Sequence, residues 1–148
     1  MNEMVVDASV VLKWYLPDES WGDRALRLLD MHVTGEVVLL APTLLPYEVL
    51  NALLVAERRG RADKHLTAES VEAFWKLDLT LVDPFAFDIL SMARPFSRSI
   101  YDAAYLALAE ARKVDLLTDD QRMYHAAGHR LKWLRWIGED ALSGLLES

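Results

Sequence analysis

The 148-residue sequence contains no cysteine, no excess of basic residues and no long uninterrupted apolar run. The absence of cysteine excludes a disulfide scaffold, a thiolate nucleophile and any zinc or iron–sulfur site with cysteine ligands. With 16 Lys+Arg against 23 Asp+Glu, the net charge of −7 argues against nucleic-acid binding through a generally basic surface. The most apolar stretch, 37–45, is interrupted by Pro42 and is shorter than the about 20 residues that span a bilayer.

The N-terminal start also lacks a targeting pattern. Met1-Asn2-Glu3 carries no basic region of a secretion signal and leads directly into an apolar run. The sequence therefore predicts a cytoplasmic protein with no membrane partner. Its 53% hydrophobic and 26% charged residues are ordinary for a globular chain, and the length fits a single domain over 1–148.

Short apolar runs alternate along the chain with segments of helical periodicity. The predicted strands are the apolar runs 4–6, 36–41, 79–82, 116–118 and 132–137. The predicted helices are 9–16, 18–31, 43–60, a segment opening at Thr67-x-x-Ser70, 86–94, 99–113, 122–127 and 140–146. Strands that alternate with helices favour an α/β fold, here a three-layer α/β/α arrangement around a central parallel sheet. In such folds ligands bind beyond the carboxyl ends of the strands.

Acidic residues lie at the edges of these predicted elements. Asp7 ends the first strand, and Asp119-Asp120 directly follow the fourth. Glu48 lies in the early turns of its helix, and Asp102 lies in the first turn of the most apolar helix. Strand ends and the following helix starts share one edge of a parallel sheet, so Asp7, Asp102 and Asp120 can converge there. Glu48 can reach the same place from the side.

Structural explanations compete with this grouping. Asp102 follows Ser99 by three residues, so the pair can form a capping box. Glu48 near a helix start is favoured by the helix dipole, and either acid after the fourth strand can cap the next helix. Asp7 is different, because a carboxylate that closes a Val-Val strand is desolvated and is rarely buried without a partner.

Clustered carboxylates require a compensating cation. Two like charges about 4 Å apart repel by about 4 kcal/mol at an effective dielectric of 20. We identify only Arg122 as a basic neighbour of these positions, and the four histidines are scattered. A hard divalent cation, Mg²⁺ or Mn²⁺, is therefore the predicted partner, since both prefer carboxylate and water oxygens. Asn51, three residues after Glu48, is predicted to orient that carboxylate through a hydrogen bond.

Four segments resemble, in order and spacing, the motifs of the PIN domain family, and more narrowly those of VapC-type toxins. The segments are 5–9 (VVDAS), 46–53 (PYEVLNAL), 101–109 (YDAAYLALA) and 116–120 (LLTDD). The resemblance implies a Mg²⁺- or Mn²⁺-dependent endoribonuclease that acts as the toxin of a toxin–antitoxin pair. It also implies a homodimer that is inhibited by a cognate antitoxin.

The same resemblance implies roles for individual residues. Asp7 and Asp102 correspond to direct metal ligands, and Glu48 and Asp120 complete the acidic, catalytic site. The remaining matched positions are small polar or acidic residues that support the site: Ser9, Asn51, Thr118 and, beside Asp120, Asp119.

Such a site would hydrolyse RNA with a metal-activated water and without a covalent intermediate. Candidate contacts to the RNA backbone are the basic residues near the four motifs: Lys13, Arg94, Arg98 and Arg122. Trp14 and Tyr15 can stack on unpaired bases, with core packing as the alternative.

Other classes of protein also place an Asp after the first strand. Phosphatases with a nucleophilic Asp typically have another Asp two residues later, where this chain has Ser9. Phospho-receiver domains need a Lys at a later strand end, which we do not find. A non-catalytic PIN-like binding module, whose acids serve only as helix caps, and a PIN nuclease outside a toxin–antitoxin pair remain open alternatives.

Overall fold

A computed structural model of the protein describes residues 2–147. Met1 and Ser148, the ends of the predicted 1–148 domain, lie outside the described residues. Five strands form one sheet: β1 (Asn2–Val6), β2 (Val37–Ala41), β3 (Thr80–Leu81), β4 (Leu116–Thr118) and β5 (Leu134–Trp136). Their order is β3-β2-β1-β4-β5, and every neighbouring pair is parallel. The predicted three-layer α/β/α fold with a central parallel sheet is confirmed.

A helix occurs in each segment where the sequence predicts one, and all but the last of them lie between strands. They are α1 (Ala8–Val11), α2 (Gly22–Val33), α3 (Leu45–Arg58), α4 (Lys64–Lys76), α5 (Ala86–Phe96), α6 (Ile100–Arg112), α7 (Gln121–Ala127) and α8 (Ser143–Leu146). The predicted helix 9–16 is wrong in detail, because α1 tightens into a 3-10 turn over Leu12–Trp14. Between residues 2 and 147, none of these helices combines the length and the apolar character that crossing a membrane requires.

Three helix starts differ from the prediction. The helix predicted from residue 18 begins only at Gly22, as α2. The predicted opening of α4 at Thr67 is wrong: Asp63 caps the helix by accepting a 2.8 Å hydrogen bond from the Leu66 amide. The predicted cap of α3 at Thr43 is also wrong. The Thr43 amide and hydroxyl instead donate to the Asp83 carboxylate at 2.9 and 2.7 Å, which ties the loop after β3 to the loop after β2.

The centre of the sheet is apolar on both faces. Val5 and Val6 of β1 and Leu116 and Leu117 of β4 are almost completely buried, as expected for central parallel strands. The chain order reverses between β1 and β4, which makes their carboxyl ends the switch point of the sheet. Because β1 and β4 pair in the register Val5↔Leu116 and Val6↔Leu117, the residues that follow them, Asp7 and Thr118, are neighbours.

Candidate metal centre

Asp7 lies at the switch point and is only 7% exposed. Its carboxylate accepts hydrogen bonds from the Ser9 and Thr118 hydroxyls, each at 2.5 Å, and a longer one of 3.4 Å from the Val10 amide. Burial raises the pKa of Asp7 to about 7, against the lowering effect of these hydrogen bonds, and the charge of Asp120 adds to the rise. The predicted burial of this carboxylate is confirmed.

Two hydroxyls connect the loops that follow β1 and β4. The Thr118 hydroxyl donates to Asp7 and accepts from the Asp120 amide at 2.9 Å. The Ser9 hydroxyl likewise donates to Asp7 and accepts from the Asp119 amide at 2.8 Å. These small polar side chains therefore hold the Asp7 carboxylate in one orientation and fix the path of the following loop.

Asp120 follows β4 and caps α7. Its Oδ1 atom accepts hydrogen bonds from the Arg122 and Met123 amides at 3.0 and 3.1 Å. The capping alternative considered for this residue is thus present in the structure. It engages one carboxylate oxygen, while the negative charge of Asp120 raises the pKa of both Asp7 and Asp102.

Asp102 lies in the first turn of α6, where its amide donates to the Ser99 hydroxyl at 3.1 Å. Burial, followed by the charge of Asp120, raises the pKa of Asp102. Arg98 partly offsets this rise, since its Nη1 atom lies 3.8 Å from Asp102 Oδ2. The prediction that Arg122 is the only basic neighbour of the carboxylates is therefore wrong. Arg98, four residues before Asp102, places its guanidinium group beside the Asp102 carboxylate.

Glu48 is held by a residue that sequence reasoning missed. The buried Tyr105 hydroxyl donates to Glu48 Oε1 at 2.5 Å. Burial and the charge of Asp102 raise the pKa of Glu48, while the hydrogen bond from Tyr105 opposes the rise. Burial and the Glu48 charge also raise the pKa of Tyr105, so its hydroxyl stays protonated and remains a donor. Asn51, predicted to orient Glu48, is instead an exposed residue on the wall of the adjoining cavity.

A signal for Tyr105 exists in the sequence. It stands three residues after Asp102, on the same face of an otherwise apolar helix. A buried tyrosine needs a partner for its hydroxyl, and a nearby carboxylate supplies one.

The Asp119 carboxylate belongs to a different contact network. Its Oδ2 atom lies 2.7 Å from Lys13 Nζ, and its Oδ1 atom accepts a 2.8 Å hydrogen bond from Trp136 Nε1. Lys13 is 4% exposed and also donates to the Ser20 carbonyl at 2.6 Å. The prediction that Lys13 contacts RNA is wrong, because its ammonium group is already engaged inside the protein.

Core packing also accounts for the two aromatic residues after α1. Trp14 is buried, and its Nε1 atom donates to the Ala25 carbonyl at 2.8 Å. Tyr15 packs edge-to-face against Phe74 and Trp14. Neither ring is arranged as an open stacking surface, so the alternative of core packing is the one the structure supports.

The four predicted carboxylates are electrostatic neighbours. The charge of Asp120 acts on Asp7 and Asp102, and the charge of Asp102 acts on Glu48. Glu48 and Asp102 also line one open cavity of about 580 Å³. The other residues that line it are Leu44, Tyr47, Asn51, Ser99 and Tyr101.

The side chains do not form a complete coordination shell. Among residues 2–147, no three His, Cys, Asp or Glu side chains lie close enough together to coordinate one metal ion as they stand. A larger cavity of about 770 Å³, between the start of α2 and the end of α8, lies away from the four carboxylates. The donor set nevertheless fits a hard divalent cation, because it offers only oxygen. The charge of Asp120 also raises the pKa of Asp7 and of Asp102, and the charge of Asp102 raises that of Glu48.

The chain belongs to the PIN domain family, whose model matches residues 4–129. It is 33% identical over 125 residues to Ribonuclease VapC3 of Pyrobaculum aerophilum, an alignment that covers 82% of this chain and 92% of that protein. The predicted family resemblance is therefore confirmed.

Solved structures share the same fold. The crystal structure of PAE2754 from Pyrobaculum aerophilum has a TM-score of 0.68 at 24% identity, covering 92% of this chain and 91% of that chain. VapC20 of Mycobacterium tuberculosis, a toxin that cleaves the sarcin–ricin loop, has a TM-score of 0.59 at 14% identity. That comparison covers 84% of this chain and 95% of VapC20.

Proposed function

We propose that residues 1–148 form one nuclease domain, a Mg²⁺- or Mn²⁺-dependent endoribonuclease that acts as the toxin of a VapBC-type pair. The observation that carries the proposal is the group of partly buried carboxylates at the carboxyl edge of the sheet. Burial raises the pKa values of Asp7, Asp102 and Glu48. The charge of Asp120 adds to the rise at Asp7 and Asp102, and the charge of Asp102 adds to it at Glu48. Family membership and the relative named Ribonuclease VapC3 support nuclease chemistry in particular.

Asp7 and Asp102 would hold the metal directly, with Glu48 and Asp120 completing the site. A bound divalent cation lowers the pKa of a water molecule and offsets charge on the phosphate oxygens. Tyr105 engages only Oε1 of Glu48, so Oε2 remains available to accept a proton from an attacking water. Asp120 similarly gives Oδ1 to the α7 cap and keeps Oδ2 for the site.

The supporting residues act by limiting motion. Ser9 and Thr118 each donate to a different oxygen of Asp7, so the carboxylate is oriented before any ligand arrives. A preorganised carboxylate avoids the entropic cost of ordering when the substrate binds. Water is the nucleophile in this scheme, and no side chain forms a bond to the substrate.

Exposed apolar side chains support a homodimer and an antitoxin contact. Leu50 and Leu54 lie on one exposed face of α3, and Trp75 is exposed on the adjacent α4. Exposed apolar patches mark sites of protein association, and tryptophan is enriched in such interfaces. We propose that the protein works in the cytoplasm as a homodimer whose activity a cognate antitoxin blocks.

Helix capping favours one alternative, a PIN-like module that binds without catalysis. Asp7 and Asp120 both cap helices, which gives each a structural use without any metal. A module of this kind would be indifferent to Mg²⁺. A metal-binding nuclease would instead gain thermal stability as the metal concentration rises.

The decisive experiment measures RNA cleavage by the purified protein with Mg²⁺, with Mn²⁺ and with EDTA. We expect cleavage only with metal, products without a 2′,3′-cyclic phosphate, and loss of cleavage in Asp7→Asn. Asp78→Asn is the matched control, because Asp78 is an exposed residue in the loop between α4 and β3. Full activity of purified Asp7→Asn, or equal cleavage in EDTA, contradicts the proposal.

A further inference from the structure

Two tyrosines border the carboxylate cavity and are unusually exposed. Tyr47 and Tyr101 are 77% and 66% exposed, and both line the same cavity of about 580 Å³ as Glu48 and Asp102. Each stands directly before its carboxylate in the sequence, Tyr47 in the first turn of α3 and Tyr101 in the first turn of α6. Aromatic rings from two separate helices are therefore presented at the mouth of one acidic site.

Their exposure distinguishes these rings from the other tyrosines near the site. Tyr105 is buried and bonded to Glu48, and Tyr15 packs against the core. Tyr47 and Tyr101 leave most of their surface in solvent, so burial in the monomer does not account for them. A ring with both an apolar face and a polar hydroxyl suits a surface that is covered only when a ligand binds.

Charge limits how this protein can attract RNA. The chain carries a net charge of −7, the carboxylates repel phosphate, and Lys13 is engaged within the protein. Stacking of bases on aromatic rings does not depend on net charge and raises affinity roughly 5- to 150-fold per base. The cavity also lies within the range of about 300–1,000 Å³ typical of small-ligand sites, so it is large enough for a nucleotide.

We propose that Tyr47 and Tyr101 form a base-stacking subsite for unpaired nucleobases of RNA, next to the phosphodiester that the carboxylate site cuts. This inference rests on the proposed nuclease function and names how its substrate is held. Bases within a duplex are already stacked on one another and are not presented to such rings. The subsite therefore selects single-stranded or looped RNA.

The test measures binding and cleavage of a labelled single-stranded RNA by Tyr47→Ala, Tyr101→Ala and the corresponding Phe variants. We expect each Ala variant to raise the Kd and KM roughly 5- to 150-fold, with a much smaller change in kcat at saturating RNA. The Phe variants keep the ring and stay within about twofold of wild type on the same stacking argument. Phe87→Ala is the matched control, because Phe87 is 82% exposed but does not line the cavity.

A second substrate separates stacking from other causes. An RNA with an abasic nucleotide beside the cleaved bond should bind wild type as weakly as normal RNA binds the Ala variants. The abasic RNA should bind the Ala variants hardly more weakly still, because both changes remove the same stacking contact. If wild type cuts RNA but the Ala variants bind it normally, the stacking subsite is refuted while the nuclease function stands. If wild type neither binds nor cuts RNA, both proposals fail.

The oligomeric state gives one further outcome. Sedimentation of the Ala variants should match that of wild type. If the variants instead dissociate into monomers and the abasic RNA binds as tightly as normal RNA, the two tyrosines contact a second copy of the chain and the inference is overturned.

Discussion

Replacing Asp7 with Asn should stabilise the metal-free protein at neutral pH. The pKa of Asp7 rises from 3.8 to about 7 on folding, mainly through burial. At about 1.36 kcal/mol per pKa unit, the charged carboxylate costs the folded state at most about 4 kcal/mol at pH 7. Asn keeps the shape but loses one acceptor for the Thr118 hydroxyl, a loss of about 1 kcal/mol. We therefore expect a net gain of about 3 kcal/mol, or roughly 6–12 °C in Tm for a domain of this size.

The stability gained by Asp7→Asn should grow as the pH rises. Because the folded pKa lies above the unfolded value, the folded wild type keeps a proton that the unfolded chain releases between about pH 4 and pH 7. Wild-type stability is therefore lost as the pH rises through this window. The advantage of Asp7→Asn should be near zero at pH 4 and complete above pH 7.

The assay is urea and thermal denaturation of both proteins in EDTA at pH 4, 5.5 and 7.5. Asp78→Asn removes an exposed carboxylate and should show no comparable gain. Added Mg²⁺ should stabilise wild type but not Asp7→Asn. The stability difference between the two proteins should therefore shrink or change sign. The reasoning is refuted if Asp7→Asn is less stable than wild type at pH 7.5 in EDTA, or if the difference does not change with pH.

Three further predictions concern the surroundings of Asp7. Tyr105→Phe removes the hydroxyl that donates to Glu48 and positions it, so the rate of RNA cleavage should fall about tenfold. The circular dichroism spectrum should be unchanged, and an unaltered cleavage rate contradicts the positioning role of Tyr105. Lys13→Met leaves the partly buried Asp119 carboxylate without its cation and should lower the free energy of unfolding by about 2 kcal/mol in urea. A loss below about 0.5 kcal/mol argues against a stabilising role for this ion pair. Cleavage in Mg²⁺ should weaken as the pH falls below about 7, because a proton on Asp7 competes with the metal; a flat pH–rate profile from 5.5 to 7.5 rules this out.

The local pattern of the sequence is enough to predict the architecture. Apolar runs such as Val5-Val6 and Leu116-Leu117 are buried central strands, because a strand covered on both faces has no polar side chain to expose. Alternation with helices then requires a parallel sheet, and the ends of parallel strands bring Asp7 and Asp120 to one edge. The neighbourhood of the four carboxylates was predictable for this reason, while their roles as metal ligands stay predictions.

Pairing between distant side chains was decided only by the tertiary structure. The family resemblance favours Asp120 over Asp119, but it does not show that Asp119 pairs with Lys13 while the charge of Asp120 acts on Asp7. Tyr105 reaches Glu48 across 57 positions of the chain. Periodicity records which face of an element is apolar, but a hydrogen bond or an ion pair depends on ångström-scale distances between elements, which exist only once the chain has packed.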